Sequence, residues 1–330
     1  MFYKCKNCGG NIVYDPEKGT MCCPHCEGLD SEEKKPGGED MMRCANCGAP
    51  LDEVIKKHTS ATKCPNCGTY TIVDERIAGD LEPHRILPFK VSREKAGKLI
   101  KAEFEKRIFT PSSFASNASI AKMEGTYVPF FLYDYHANGT YEGKATKVRH
   151  WRSGDREYTE TSYYRVVREL ESDFDSVPVD ASVEMDDQYM DLMEPYHYEG
   201  FEDFDPKFMS GFLGEKNNES EEALSPRAFK KVVDSVNHLI QASVSGYTSC
   251  TKIGGETRAF KKKFEYVLLP VWEYNYKYQG KIYKYHVNGQ TGKVVGKTPV
   301  AKGRVIAFGA TVWFMVSVAA YIATLVYSVL

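Results

Sequence analysis

Four pairs of cysteines mark the beginning of this 330-residue chain. Each pair has the form Cys-x-x-Cys, and the members are Cys5 and Cys8, Cys23 and Cys26, Cys44 and Cys47, and Cys64 and Cys67. Two thiolates separated by two residues can hold one metal ion, because the tight turn between them directs both sulfur atoms to the same side. A short hairpin that joins two such turns completes a tetrahedral site of four thiolates. The spacing therefore predicts two zinc ribbons, each with one structural Zn²⁺ ion.

The residues around the cysteines agree with this interpretation. Glycine directly follows three of the four pairs, at Gly9, Gly48 and Gly68, where the turn favours a residue that adopts positive φ without strain. Each ribbon also has few apolar residues, such as Ile12 and Val13 in the first. A module of about 35 residues cannot build a sufficient core from so few, so metal binding is expected to supply most of its folding free energy.

Other uses of these cysteines are less consistent with the sequence. A disulfide framework needs an oxidising compartment, and no apolar signal segment precedes the first cysteine motif. Four pairs at ribbon spacing also fit a redox-active Cys-x-x-Cys motif poorly. Cys22 lies beside Cys23 and could substitute for it as a ligand, although its spacing to Cys26 is worse. Cys250 is predicted to be a half-buried free thiol.

The C-terminal run, residues 305–330, contains no charged side chain and no His, Asn or Gln. A helix needs about 20 apolar residues to cross the hydrocarbon layer of a bilayer, so this run predicts one transmembrane helix. The basic residues Lys293, Lys297, Lys302 and Arg304 precede it. By the positive-inside tendency, the bulk of the chain is expected in the cytoplasm, as part of a single-pass protein of the cell membrane. Reduced thiols require the same compartment.

The net charge of −2 conceals an uneven distribution. Residues 169–222 carry 18 acidic and two basic side chains, whereas residues 223–330 carry four acidic and 15 basic ones. The acidic block is interpreted as a solvated surface, and a docking surface for a basic partner or segment is the alternative. A zinc ion with four thiolates adds negative charge, which opposes phosphate binding. Protein partners, including membrane-associated proteins, are therefore favoured, and nucleic-acid binding through the ribbons is the alternative.

The middle of the chain predicts an α+β body of helices and antiparallel strands. Apolar periodicity predicts a helix from Ser92 to Arg107, and Ser225-Pro226 is expected to start a second helix. A strand is predicted to enter a tight turn at Asn138-Gly139, and residues 158–170 form a further predicted strand. A turn at Gln279-Gly280 would place Tyr278 opposite Lys281 and bring several tyrosines to one face of the sheet.

Two segments of the body, residues 127–135 and 266–274, resemble each other and each follows a predicted helix. This similarity predicts a body of two similar halves. The domain organisation expected from the sequence is zinc ribbon 1 at residues 1–28, a flexible linker at 29–42, zinc ribbon 2 at 43–75, the α+β body at 81–302 and the transmembrane helix at 305–330.

Sequence motifs of catalysis are weak. The segment Gly292–Thr298 resembles a phosphate-binding loop, but three residues rather than four separate its glycines. A hydrolase that uses Asp186, Asp191 and Glu194 is an alternative, and it would need an enclosed cleft with raised carboxyl pKa values. No small-molecule substrate is identified, and the chain is predicted not to be an enzyme.

The order of motifs along the chain resembles a known family. After the paired ribbons come Leu87-Pro-Phe-Lys-Val, Gly125-Thr-Tyr-Val-Pro-Phe, Val177-Pro-Val-Asp-Ala-Ser182, Glu194-Pro-Tyr-His-Tyr, Met209-Ser-Gly-Phe-Leu-Gly-Glu-Lys216 and Asn288-Gly-Gln-Thr-Gly-Lys293. In this order, and ahead of an apolar C-terminal run, they resemble the membrane-anchored zinc-ribbon proteins of Gram-positive bacteria. These proteins are also labelled TFIIB-type zinc-ribbon or primosomal-helicase-like proteins.

This resemblance covers most of the chain and implies a cytoplasmic zinc-binding protein anchored in the cell membrane. It implies no established enzymatic activity. Some members of the family look linked to the phage-shock type of envelope-stress response, as partners of other membrane-associated proteins. The sequence has no motor domain that would support the helicase label. A non-enzymatic adaptor or scaffold is therefore the leading functional prediction.

Overall fold

The computed structural model describes residues 1–34, 43–79, 82–111 and 123–329. The described part of the chain is a mixture of helix and sheet. The N-terminal strands are β1 (Phe2–Cys5), β2 (Val13–Asp15), β3 (Thr20–Cys22), β4 (Ser31–Lys34), β5 (Thr59–Lys63) and β6 (Tyr70–Ile72). The later strands are β7 (Arg85–Ile86), β8 (Glu124–Ser153), β9 (Arg156–Asp180), β10 (Glu202–Asp203), β11 (Leu213–Glu215), β12 (Ser249–Gly254), β13 (Thr257–Tyr278), β14 (Lys281–Asn288) and β15 (Val294–Gly296). The helices are α1 (Arg93–Glu105), α2 (Asp187–Leu192), α3 (Glu221–Ser243) and α4 (Lys302–Val329).

One large sheet organises the body. Its main order is β10-β7-β13-β8-β11-β5-β6, and β9, β12, β14 and β15 pair at its sides. Most neighbouring strands are antiparallel, while β7 pairs parallel to β13 and β11 pairs parallel to β8. The sheet thus runs without interruption from the body into β5 and β6, which belong to the second ribbon.

Both faces of the central strands are buried. On β8, Tyr127 and Tyr133 belong to a core shared with α1, α3 and the first ribbon. The alternate residues Val128 and Phe130 belong to a second core, which is covered by Met190 of α2 and its neighbours. Because successive side chains of a strand point to opposite faces, a near-continuous apolar run is the pattern expected for such a doubly covered strand.

The longest strand pair, β8 with β9, forms a hairpin that corrects one prediction. The pairing runs from Phe130 opposite Asp180 to Ser153 opposite Arg156, so the chain turns beyond residue 153. The turn predicted at Asn138-Gly139 is therefore wrong. The predicted strand at residues 158–170 is part of β9.

Close packing explains why Gly139 lies in the middle of a strand. A Cβ atom at this position would lie 2.5 Å from Val236 and 2.8 Å from Ile240, both on α3. Glycine here lets the helix approach the sheet, which is a known use of glycine inside strands. The Asn-Gly pair therefore looks like a turn signal in the sequence, although its glycine serves the packing of a helix.

The helices agree with the sequence in part. The first predicted helix is confirmed as α1, and the Ser92 side chain accepts a hydrogen bond from the Lys95 amide at its N-terminus. The predicted start of the second helix at Ser225-Pro226 is wrong. Helix α3 is capped five residues earlier by Ser220, whose side chain accepts from the Ala223 amide, and Pro226 lies inside the helix.

The turn at Gln279-Gly280 is confirmed, with φ of 48° and 77° at its two residues. Tyr278 pairs with Lys281 as predicted, and the tyrosine-rich face of this hairpin continues into the core, where Tyr274 and Tyr285 are almost completely buried. The two similar segments of the body are neighbours, because β8 and β13 pair with each other. That they belong to two similar halves stays a prediction.

The segment predicted as a flexible linker is partly ordered. Residues 31–34 form β4, which pairs with β1, and the Lys6 amide donates to the carbonyl of Asp30. The rest of the predicted linker, residues 35–42, lies outside the described residues. The first ribbon thus extends to residue 34 in the described part of the chain.

Candidate metal centres

The first ribbon brings its four predicted cysteines together. The Sγ atoms of Cys5, Cys8, Cys23 and Cys26 all lie within 4.8 Å of one another. The Cys5 and Cys26 sulfur atoms are 3.6 Å apart, and those of Cys8 and Cys23 are 3.5 Å apart. The group combines two buried cysteines with one exposed and one half-buried cysteine, so it lies at the edge of the fold.

The second ribbon repeats this arrangement. The Sγ atoms of Cys44, Cys47, Cys64 and Cys67 also lie within 4.8 Å of one another. The separation is 3.6 Å between Cys44 and Cys67, and 3.7 Å between Cys47 and Cys64. The burial of the four positions follows the same order as in the first ribbon.

These separations fit a tetrahedral metal ion. A Zn–S bond of about 2.3 Å in tetrahedral geometry places the sulfur atoms about 3.8 Å apart, whereas a disulfide bond holds them about 2 Å apart. All ten cysteines are free thiols. Each group of four cysteines could therefore hold one metal ion, and zinc is consistent with an all-thiolate donor set.

The tight turn at each Cys-x-x-Cys pair has the same backbone geometry. Gly9, Gly48 and Gly68 have φ between 70° and 73°, as the sequence indicates. At the fourth pair this position is taken by Glu27, with φ of 58°. Its amide donates to the Cys23 carbonyl at 2.9 Å, which matches the bonds that the three glycine amides make. The geometry of the turn thus persists where glycine is absent.

Asparagine side chains also reach the sulfur atoms, and the sequence analysis missed this role. The Asn7 amide group donates to Cys26 Sγ at 3.5 Å, and that of Asn66 donates to Cys47 Sγ at the same distance. Asn46 donates to Cys67 Sγ at 3.7 Å. Asparagine directly precedes the second cysteine in three of the four pairs, and this pattern is the signal that could have revealed the role.

Hydrogen bonds to sulfur favour the thiolate form that a metal ion requires. The backbone N–H of Gly28, together with other donors, lowers the pKa of the Cys26 thiol to about 6. The Asn66 side chain lowers the pKa of the Cys47 thiol. The fold therefore prepares part of each group for coordination at neutral pH.

The two remaining cysteines lie outside the metal centres. Cys22 is buried, and the Lys18 ammonium group lies 3.1 Å from its sulfur atom. It does not belong to the group that contains Cys23. Cys250 is half-buried and 3.3 Å from the Tyr141 hydroxyl, as expected for a free thiol in contact with the core.

The acidic residues of the hydrolase alternative are divided between two roles. Asp186 caps α2 and accepts a hydrogen bond from the Gln188 amide. Asp191 and Glu194 line a cavity of about 510 Å³, and both lie within 2.8 Å of the Lys231 ammonium group. Burial raises the pKa of Glu194, and Lys231 opposes this effect. Asp191 is also paired with Arg227 of α3.

Helix α4 has the length and composition of a membrane span. Within Lys302–Val326, the most apolar stretch of 18 residues has a mean hydropathy of 2.0, and none of that stretch is buried against the described part of the chain. Its beginning contacts the body, where Arg304 donates to the Thr110 carbonyl at 2.6 Å and Phe308 contacts Phe109. This helix could span a membrane.

Comparison with known proteins shows a relative that matches most of the chain. The uncharacterized protein YdjG of Bacillus subtilis (strain 168) is 34% identical over 314 residues, which cover 93% of this chain and 92% of that protein. No protein-family model and no solved structure matches the chain.

Proposed function

The chain belongs to the family of the Bacillus subtilis protein YdjG, and we propose that it is a membrane-anchored zinc-binding adaptor that recruits protein partners. In this proposal α4 spans the cell membrane once, and the ribbons and the body lie at its cytoplasmic face. The resemblance to membrane-anchored zinc-ribbon proteins supports this arrangement and suggests envelope stress as the setting. The adaptor acts by binding and carries out no chemical reaction.

Two structural Zn²⁺ ions are the proposed cofactors. Cys5, Cys8, Cys23 and Cys26 would hold the first ion, and Cys44, Cys47, Cys64 and Cys67 the second. Four thiolates leave no open coordination position, so each ion would stabilise its ribbon rather than activate a substrate. Metal analysis of the purified full chain should find two zinc ions per chain.

The cytoplasmic orientation is supported by charge and by thiol chemistry. Lys293, Lys297, Lys302 and Arg304 precede the apolar part of α4, and such residues remain on the cytoplasmic side of membrane spans. Zinc sites with four thiolates also persist best in a reducing compartment.

The observation that carries the adaptor proposal is an arm formed by the end of the β8–β9 hairpin. The arm, residues 144–165, is a pair of strands whose base pairs with β12 and contains the buried Ala145, whereas the side chains of residues 149–161 are all exposed. Tyr163 is 80% exposed and Trp151 is 42% exposed, and Trp151 stacks on Tyr158 at 5.5 Å. Exposed aromatic residues on a rigid element are typical of protein-binding surfaces.

Cross-linking in intact cells, followed by mass spectrometry, tests this proposal. Wild-type chain is expected to cross-link to membrane-associated proteins. A variant with Trp151→Ser and Tyr163→Ser should lose at least about tenfold of these cross-links, because hot-spot aromatic residues carry much of the binding energy. A variant with Phe260→Ser and Ile253→Ser, which also removes two exposed apolar side chains away from the arm, serves as the matched control.

Other outcomes would point to a different function. Recovery of nucleic acid in place of proteins, with binding that weakens steeply as salt is raised, would favour a membrane-tethered nucleic-acid-binding factor that uses the ribbons. Equal cross-linking by the wild type and the arm variant would contradict the role of the arm.

A further inference from the structure

The hairpin of β13 and β14 leaves the sheet on the same side as α4. Strand β15 is antiparallel to β14, with Val294 opposite Val287 and Gly296 opposite Tyr285. Because β14 runs from the Gln279-Gly280 turn into the body, β15 runs back towards that turn. The chain then enters α4, so the membrane helix starts at the end of the sheet that carries this hairpin.

The hairpin reaches at least as far from the body as the start of α4 does. Residues 297–301 connect Gly296 to α4, and five residues span at most about 17 Å. On the hairpin, the same level of the sheet is marked by Tyr285, which lies opposite Gly296 and pairs with Tyr274. The turn lies five residues beyond Tyr274. Five residues of a strand also span about 17 Å. The tip of the hairpin can therefore touch the surface that α4 enters.

The charge of this region is uniformly positive. Residues 274–304 contain seven basic and no acidic side chains. Lys277, Lys281 and Lys284 lie on the hairpin and are exposed. Within the described part of the chain, these three lysines have no carboxylate partner at ion-pair distance.

An apolar residue lies among these lysines. Ile282 is 67% exposed and pairs with Lys277, while Lys284 is two residues further on the same face. Tyr278 is half-buried next to the turn and pairs with Lys281. Tyrosine at head-group level and lysine beside anionic lipids are the side chains enriched at membrane surfaces.

We propose that the β13–β14 hairpin binds the anionic lipid surface of the cytoplasmic leaflet beside α4. Lys277, Lys281 and Lys284 would lie against lipid phosphates, and Ile282 would enter the head-group layer. This inference rests on the proposed membrane anchoring by α4, and it adds a second contact that fixes the tilt of the body. The arm of β8 and β9 then points away from the bilayer, because it extends from the opposite end of the same strands.

Lysine acylation of the full chain in vesicles tests the contact. The chain is reconstituted into vesicles of phosphatidylcholine alone or with phosphatidylglycerol, isolated by flotation, and treated with a neutral acylating reagent before mass spectrometry. Lys277, Lys281 and Lys284 should react about threefold or more slowly in the anionic vesicles, and high salt should remove the difference. Lys144 and Lys252, on the arm side of the sheet, should react equally in both.

A matched pair of variants sharpens the result. Ile282→Glu places a negative charge at the tip and should return the reactivity of Lys281 in anionic vesicles to its level in neutral vesicles. Ile253→Glu changes an exposed isoleucine on β12, which is 49% exposed, and should leave the hairpin protected. The wild-type comparison needs no variant, so it holds even if a variant folds poorly.

The outcomes separate this inference from the proposed function. A chain that does not float with either kind of vesicle would overturn the anchoring and the hairpin contact together. A chain that floats, but whose hairpin lysines react equally in both vesicles, would overturn the hairpin contact alone. Protection by added DNA in neutral vesicles, with no effect of phosphatidylglycerol, would overturn lipid as the partner.

Discussion

The two ribbons have the same cysteine geometry but are attached to the body in different ways. In the first ribbon, the strands form two small sheets of their own, β1 with β4 and β2 with β3. Its attachment to the body combines packing with single hydrogen bonds: Tyr14 is buried against Phe208 with ring centroids 5.2 Å apart, the Tyr14 amide donates to the Ser210 carbonyl, and the Ser210 hydroxyl donates to the Ile12 carbonyl. Its core residues belong to the main core.

The second ribbon is joined by strand pairing within the large sheet. Strand β5 lies between β6 and β11, with Ala61 opposite Gly214, and β11 pairs in turn with β8. Its cysteine turns have a separate small core around Leu51 and Ile55. The same arrangement of four cysteines can thus be carried by a ribbon that packs on the body or by one whose strands belong to the body's sheet. Loss of a bound metal ion should therefore affect the body differently in the two cases.

The largest expected effect comes from removing a metal ligand in each ribbon. Cys64→Ser and Cys23→Ser should each reduce the zinc content from two ions to one, at a cost of about 10 kcal/mol of metal-binding free energy. Cys64→Ser should also speed amide hydrogen exchange in β11 and at the start of β8, because β5 loses its anchor. Cys23→Ser should leave exchange in β11 unchanged, and equal exchange in both variants would remove the distinction between the ribbons.

A smaller effect is expected from loosening the first ribbon without touching its metal site. Tyr14→Ala removes a buried ring and should lower the free energy of unfolding by about 2–4 kcal/mol, while the zinc content remains two ions per chain. Tyr14→Phe retains the ring and serves as the control. Loss of the first zinc ion from Tyr14→Ala would show that packing and metal binding are not separable here.

The junction of the second ribbon should respond to pH. Glu215 of β11 lines a cavity of about 210 Å³ with Glu184, Glu273 and Lys56, and burial raises its pKa to about 7 from an ordinary value of 4.5. Folding therefore favours the protonated carboxyl group. The contribution of the protonated Glu215 carboxyl group to the free energy of unfolding is complete below about pH 4.5 and is lost as the pH rises through about 7.

Glu215→Gln removes this titration. After allowance for partial exposure, the variant should be more stable than the wild type by about 1–2 kcal/mol at pH 8, and about equally stable at pH 5. Thermal unfolding at the two pH values measures the difference. Ser182→Ala, which removes the hydroxyl that donates to Glu215, is the companion variant, and a pH-independent effect of Glu215→Gln would contradict the raised pKa.

The smallest effect is expected at the asparagines that donate to sulfur. Asn7→Ala in the first ribbon and Asn66→Ala in the second each remove one such bond, and each should weaken zinc retention about threefold to tenfold. Competition with a chelator measures this retention. Similar effects in the two ribbons would confirm that they differ in attachment and not in the metal site itself.

The grouping of the eight cysteines into two candidate metal centres could be predicted from the sequence because its signal is local. Each pair of cysteines lies within one turn, so spacing alone indicates the geometry. The helix α1 and the Gln279-Gly280 turn were predictable for the same reason. The attachment of the second ribbon was not predictable, because β5 and β11 are about 150 residues apart in sequence. The sequence of a strand of three to five residues also does not indicate which strand it pairs with.

The wrong predictions share one physical cause, which is that tertiary packing outweighs a local preference. Asn138-Gly139 favours a turn, but the glycine is needed where α3 crosses β8. Ser225-Pro226 favours a helix start, but Ser220 caps the helix five residues earlier, and the additional helical residues include the buried Leu224. The turn at Glu27 is a further case, because the ribbon imposes a positive φ there on a residue other than glycine.

The length of β8 determines how strongly charges on the arm can interact with the membrane surface. A strand of 30 residues extends up to about 100 Å, so under the proposed anchoring by α4 a partner held at its far end would lie several nanometres, and at most about ten, from the near end of the strand. Ionic screening in the cell decays over about 8 Å. Over a distance of several screening lengths, the charges at that end would not interact with the charges of the lipid head groups. Selection of a partner there would then depend on the partner and not on the lipid composition of the membrane.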